Sequence, residues 1–153
     1  MSRRFEKISS ALDIDFKLPE RSTEHSAGYD FYAPEFIRID PYDRNTNPLP
    51  YCIKTKVKVC MEPDECLLMY PRSSWPSKLG LVMANSVGII DSDYYNNEEN
   101  EGEIGFLVYN LSPGPLFFHE GAKLGQGIFT RFLTTDDDTA TGSRTGGYGS
   151  TGA

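Results

Sequence analysis

Asp91, Asp93 and Tyr94 close an apolar approach made of Gly88, Ile89 and Ile90. Two carboxylates and a ring within four residues could hold water, take up a proton or support a metal ion beside a planar ligand. Asp91 alone is equally well explained as a strand-end residue that closes a turn. A second group is Pro71-Arg72-Ser73-Ser74 at the expected start of a short helix. Free amides, an arginine fork and two hydroxyls there favour an anion, although a serine before a helix also serves as a plain cap. A third group is the glycine-rich stretch Arg144–Gly152, which carries Arg144 and Tyr148. Backbone amides, a cation and a stacking face suit a lid over a phosphorylated ligand. The same composition also fits a disordered terminus.

These groups need a scaffold, and the chain of 153 residues is long enough for one domain with one core. Its net charge of −7 argues against a nucleic-acid polymer or an anionic membrane as partner, since either calls for a basic face. Cys52, Cys60 and Cys66 show no C-x-x-C spacing, which suits a reducing cytoplasm and makes zinc an unfavoured reading. No signal-peptide pattern and no apolar run of roughly 18 residues is present, so a soluble cytoplasmic protein is expected. The nucleotide P-loop, G-x-S-x-G and H-E-x-x-H patterns are missing, and His25 and His119 have no partner pattern.

Helical periodicity is scarce. Period-two alternation at Leu12, Ile14, Phe16 and Leu18 favours a strand, and Tyr29–Ala33 forms another candidate. Tyr51 to Val59 reads as a single half-buried strand, with Tyr51, Ile53, Val57 and Val59 inward and Lys54, Lys56 and Lys58 wet. Further strands are expected over 66–70, 104–110, 115–118 and 126–132, and one short helix within Ser74–Leu79. The runs 87–90 and 104–109 flank a polar Asn/Gly segment and read as a hairpin. Many short strands with turn signals indicate an all-β sandwich or barrel over 1–133, followed by a flexible tail over 134–153.

Five blocks occur in order: Ala27-Gly28-Tyr29-Asp30-Phe31, Pro71-Arg72-Ser73-Ser74, Gly88-Ile89-Ile90-Asp91-Ser92-Asp93-Tyr94, Gly121-Ala122-Lys123-Leu124-Gly125-Gln126, and the 144–152 tail. Together they resemble the five motifs of the trimeric dUTPase family, and the resemblance spans residues 27 to 152. It implies a distorted β jelly roll (β-clip), a homotrimer with shared active sites, and Mg²⁺-assisted hydrolysis of dUTP to dUMP and pyrophosphate. Such a reaction limits uracil incorporation into DNA and supplies dUMP for dTMP synthesis.

By the resemblance, Asp91 orients the water that attacks the α-phosphorus and Arg144 acts as an arginine-finger-like cation. Tyr94 packs on the deoxyribose, while Asn85, Gly88, Ile90, Gly102 and Ile104 form the uracil site. Arg72, Ser73, Ser74 and Gln126 hold phosphates; Tyr148, Gly149 and Ser150 belong to the lid; Asp30 supports the metal through water. Ser74 stands where the family commonly has glycine, Lys123 where it has arginine, and Arg144 and Tyr148 lie closer together than usual. An Asn- and Glu-rich insertion occupies 95–101, where the family has a tight turn. Compact members are also encoded by phages, and in some the protein doubles as a regulator, so a protein partner would be sought at that insertion. The rival readings are a dCTP deaminase of the same fold, which places a glutamate where Asp91 stands, and a non-catalytic β trimer.

Overall fold

The computed structural model describes residues 3–144, 146 and 147. Twelve strands, all paired antiparallel, carry the chain among these residues: β1 Arg4–Lys7, β2 Glu20–Arg21, β3 Tyr29–Tyr32, β4 Ile37–Ile39, β5 Tyr51–Lys54, β6 Val57–Cys60, β7 Glu65–Tyr70, β8 Leu81–Met83, β9 Gly88–Asp91, β10 Gly105–Asn110, β11 Leu116–Phe118 and β12 Lys123–Arg131. The largest sheet runs β2-β3-β12-β7-β9; a second runs β5-β10-β8; β1-β6 and β11-β4 are two-stranded. This is the distorted jelly roll of the all-β expectation. Helix is confined to short turns at Ser9–Ala11, Trp75–Leu79 and Ser92–Tyr94, and no helix among the described residues is long and apolar enough to cross a membrane.

Alternation of apolar side chains makes the strands amphipathic, and their inner faces close one core. Phe31 and Phe106 meet edge to face at 5.6 Å, and Trp75 meets Phe106 at 5.7 Å. All three rings are buried. Each ring contributes ~2–3 kcal/mol by removing apolar surface from water. Trp75 thereby pins the single helical turn behind Arg72, Ser73 and Ser74.

Three expectations fail. Residues 12–18 form no strand: Leu12 is two-thirds exposed, and the short turn at Ser9–Ala11 has already bent the chain. The 51–59 run keeps its alternation of burial from Ile53 to Val59, but Tyr51, expected inward, is exposed, and the run breaks into β5 and β6, which join different sheets. The break is at Lys56, whose φ of 58° is left-handed. Beside it the buried Thr55 turns its hydroxyl onto the Ile104 carbonyl at 2.6 Å. The 87–90/104–109 hairpin does not form either. Strand β9 pairs with β7, whereas β10 lies between β5 and β8 in the other sheet. Long-range pairing, which period-two patterns cannot encode, decided the partner of each run.

Candidate active site

Strand register assembles one group of polar side chains. Gln126 on β12 sits opposite Asp30 on β3 and Tyr70 on β7. The β12–β3 register shifts between Lys123 and Gln126, a bulge that re-aims both side chains toward β3. Gly125 occupies the bulge because a Cβ there would lie 2.3 Å from the Phe106 ring and 2.5 Å from the Tyr70 carbonyl. Lys123 Nζ donates to Asp30 Oδ2 at 2.8 Å and to Ser22 Oγ at 2.8 Å, while Ser22 Oγ donates to Asp30 Oδ2 at 2.5 Å. Burial works to raise the Asp30 pKa, but the Lys123 and Ser22 hydrogen bonds and the charges of Lys123 and Arg72 outweigh it and hold it below the usual carboxylate value. Lys123 therefore keeps a cation on this carboxylate.

Arg72 and Ser73 are exposed at the end of β7. Ser74 precedes the helical turn, but its side chain makes no capping bond. Its hydroxyl is thus not committed to the cap that a serine at this place usually supplies. Gly28 lets the Gln126 side chain lie across it, since a Cβ there would be 2.1 Å from Gln126 Oε1.

The second group is built around β9. Gly88 and Ile90, on one face of the strand, join Asn85, Cys52, Gly105 and Leu107 in lining a largely apolar cavity of about 170 Å³. Burial pushes the Cys52 thiol pKa up, so this wall is neutral. Asp91, on the other face, is half exposed and opens into a groove of about 250 Å³ with Asp93, Phe132 and Arg144. Arg144 Nη2 lies 3.3 Å from Asp91 Oδ2, and its Nε 3.6 Å from Asp93 Oδ1. The Arg144 guanidinium also sits 5.3 Å from the centre of the Tyr94 ring. Asp91, Asp93, Tyr94 and Arg144 are therefore together. A larger hollow of about 520 Å³ lined by Arg3, Arg21, Tyr29 and Arg131 holds one carboxylate, Glu65, which Arg3 already neutralises.

Gly102 and Ile104 do not line the cavity. The Ile104 amide bonds to the Val57 carbonyl at 2.8 Å and its own carbonyl accepts from Thr55, so its backbone is occupied in joining sheets. Gly102 has a φ of 84° and presses against the Tyr94 carbonyl. Gly105 and Leu107, one and three residues on, take the wall position instead; sequence reasoning missed them, along with Cys52, because the sheet that brings β5 and β10 beside β9 is a long-range pairing. Tyr148, Gly149 and Ser150 lie outside the described residues.

The two groups sit at opposite ends of the largest sheet. Asp91 is level with Cys66 and Gln126 with Tyr70, four residues apart on β7; that is ~13 Å at the rise of a strand. Strand β9 flanks β7 on one side, with β12 and then β3 on the other. Three strand spacings added to this rise put Asp91 and Asp30 on the order of 20 Å apart.

A distorted jelly roll thus carries a ring-sized apolar cavity on one face of β9, a half-exposed carboxylate on the other, and a separate charged group on β3 and β12. Residues 15–152 match the dUTPase family model. The chain is 42% identical to the deoxyuridine 5′-triphosphate nucleotidohydrolase of Lactococcus lactis over 99% of its own length and 98% of that protein. Its structure is similar to the crystal structure of dUTPase from Streptococcus mutans, at 39% identity and TM-score 0.77, covering 86% of this chain and 98% of that one. The fold is shared with the dUTPase from phage phi11 of S. aureus, at 22% identity and TM-score 0.70 over 92% of this chain and 96% of that one. The chain belongs to the dUTPase family.

Proposed function

We propose that the protein hydrolyses dUTP to dUMP and pyrophosphate by water attack on the α-phosphorus, with Asp91 holding the water. The carrying observation is β9 itself: Gly88 and Ile90 wall a base-sized cavity, and the next residue presents a half-exposed carboxylate. Uracil enters the cavity against Asn85, Gly88 and Ile90, and the Tyr94 ring, buried here with the Arg144 guanidinium 5.3 Å from its centre, packs on the sugar once that cation turns to the phosphates. Asp91 orients the water and receives its proton as the new O–Pα bond forms. The Pα–O–Pβ bond breaks, and pyrophosphate leaves with the electron pair. Ordered water next to a developing phosphorane needs cationic stabilisation, which Arg144 and Arg72 supply.

Mg²⁺ fits this donor set as a substrate-borne ion. No cluster of three or more potential ligands occurs among the described residues, and Mg²⁺ commonly takes phosphate oxygens and waters with only one or two carboxylates. Asp30, already bonded through Oδ2 to Lys123 and Ser22, suits a hydrogen bond to a metal-bound water. Bound there, the ion would neutralise phosphate charge. Ser73, Ser74 and Gln126 would hold the same phosphates.

The separation of the two groups supports assembly. One α-phosphate cannot meet Asp91 and the Arg72 block of the same chain, so a site that uses both joins two copies, as in a homotrimer. The lid residues Tyr148, Gly149 and Ser150 would close over uracil. Three free thiols accord with a reducing cytoplasm. The test is incubation with dUTP and Mg²⁺ while measuring pyrophosphate. Release at catalytic protein concentration is expected; ammonia from dCTP, or no turnover of either, would overturn the assignment.

A further inference from the structure

The insertion at 95–101 has the composition of a solvated hairpin tip, yet it folds back on Tyr94. Asn97 Nδ2 donates to the Tyr94 carbonyl at 2.9 Å, and its Oδ1 accepts from the amides of Glu99 and Asn100 at 3.0 and 3.1 Å. Asn100 Oδ1 accepts from Asn97 Nδ2 at 2.7 Å and from the Gly102 amide at 3.0 Å. Its Nδ2 then reaches the Tyr94 hydroxyl at 2.8 Å, and that hydroxyl donates to the Glu103 carbonyl at 3.0 Å. Gly102 closes the loop so tightly that a Cβ would lie 2.5 Å from the Tyr94 carbonyl. Both ends of Tyr94 are thus gripped by one loop. Glu101 anchors the loop in turn to Ser9 and, at 3.4 Å, to Lys58.

We propose that Asn100 is a positioning residue that fixes the Tyr94 ring and thereby sharpens selection for a 2′-deoxy sugar. The inference rests on the reading of Tyr94 as the ring packed on the sugar. Steric exclusion of one hydroxyl works only against a wall that does not yield, and a ring held merely by apolar packing can tilt by the fraction of an ångström that admits it. Hydrogen bonds from outside the contacting residue supply that rigidity. The phenol oxygen is the far end of the lever, so a bond there controls tilt best. With the Glu103 carbonyl accepting on one side and Asn100 donating on the other, the hydroxyl has both partners it needs.

Asn100→Asp keeps the Oδ1 acceptor and the side-chain size but puts a second acceptor where the donor was. The phenol has one hydrogen, so it cannot serve both that carboxylate and the Glu103 carbonyl, and the two-point hold on the ring is lost. The readout is the ratio of kcat/KM for dUTP to that for UTP. Asn100→Asp is expected to lower it about five- to ten-fold, the worth of one hydrogen bond realised against a single substrate. Tyr94→Phe should lower it similarly, and the double variant should match Tyr94→Phe alone, because the Oδ1 bonds to Asn97 and Gly102 are kept and the bond that Asn100→Asp changes is the one to the hydroxyl. A purely structural Asn100 would depress both substrates and the melting temperature together and leave the ratio unmoved. An unmoved ratio in Asn100→Asp, or additive losses in the double variant, would overturn the proposal. If Asn100→Asp does not fold, Tyr94→Phe carries the test, and an unchanged ratio there is equally fatal. Tyr94→Ala separates the two readings: a folded variant that keeps the wild-type ratio removes the sugar role of the ring, and Asn100's role with it.

Discussion

The two half-sites are held by different means. The Asp30, Lys123 and Gln126 group is placed by strand register and one bulge, on a sheet whose central strands are paired on both sides. The Asp91 and Tyr94 group lies on an edge strand and is held by loop side chains. Backbone strain divides the same way. All four non-glycine residues with positive φ among those described are near the second group: Lys56, whose amide bonds Glu103; Ser86, next to Asn85; and Asn96 and Glu101 in the loop. Strand pairing gives the Asp30 group a rigid frame, whereas the Asp91 and Tyr94 group is set on irregular backbone, which regular pairing cannot provide.

The comparison breaks most directly at Asp91. Asp91→Asn should lower kcat by about 10³-fold while keeping nucleotide binding and assembly; activity near wild type would make Asp91 a turn residue only. Next comes subunit mixing. Asp91→Asn and Arg72→Ala should each be nearly inactive alone, but refolding them together should restore roughly a quarter of wild-type activity if each site takes one group from each of two chains. No recovery would mean that one chain supplies both groups. Removing residues 144–153 should slow hydrolysis by about 10²-fold or more, because it takes away Arg144. The melting temperature should shift little, since none of the described residues removed belongs to the hydrophobic core and Arg144 ion-pairs with the half-exposed Asp91 and Asp93.

A smaller effect separates the groups by pH. Asp30 is held low by Lys123 and Ser22 against the opposing effect of burial, and Glu65 chiefly by its hydrogen bonds to Arg3. A carboxyl depressed in the folded state stabilises above its unfolded pKa, about 4, and this contribution is lost as the pH falls through that value and on through the folded one. Melting temperature should therefore fall below about pH 4.5, and the Lys123→Met variant should flatten the part due to Asp30. The smallest change tests strain: Lys56→Gly should add ~1 kcal/mol by relieving the left-handed backbone, read as a higher urea midpoint. A loss instead would show that the Lys56–Glu35 ion pair at 3.3 Å outweighs the strain.

Much of the site was legible from blocks of residues taken together. An arginine and two serines at a strand end, Gly28 two residues before Asp30, and a carboxylate followed by a ring are each ambiguous alone, and only their joint order along the chain singled them out. The all-β class followed from alternation, and the short turn at Trp75–Leu79 from Trp75-Pro76. The failed readings have separate causes. The 53–59 alternation is real, but the break at Lys56 depends on a left-handed backbone that lysine gives no reason to expect. The 87–90 and 104–109 runs are strands as expected, but they pair with strands far away in sequence.

The sequence by itself determined the all-β class and, through five blocks in order, the family, because alternation and the charge, hydroxyl and backbone freedom of single residues at fixed spacing are local properties. Only the tertiary structure decided that Gly105 and Leu107 take the wall expected of Gly102 and Ile104, that the two half-sites lie at opposite ends of one sheet, and that the insertion grips Tyr94. Strand partners and side-chain contacts across loops are settled by burial and hydrogen-bond satisfaction over the whole chain, and no local pattern carries that information.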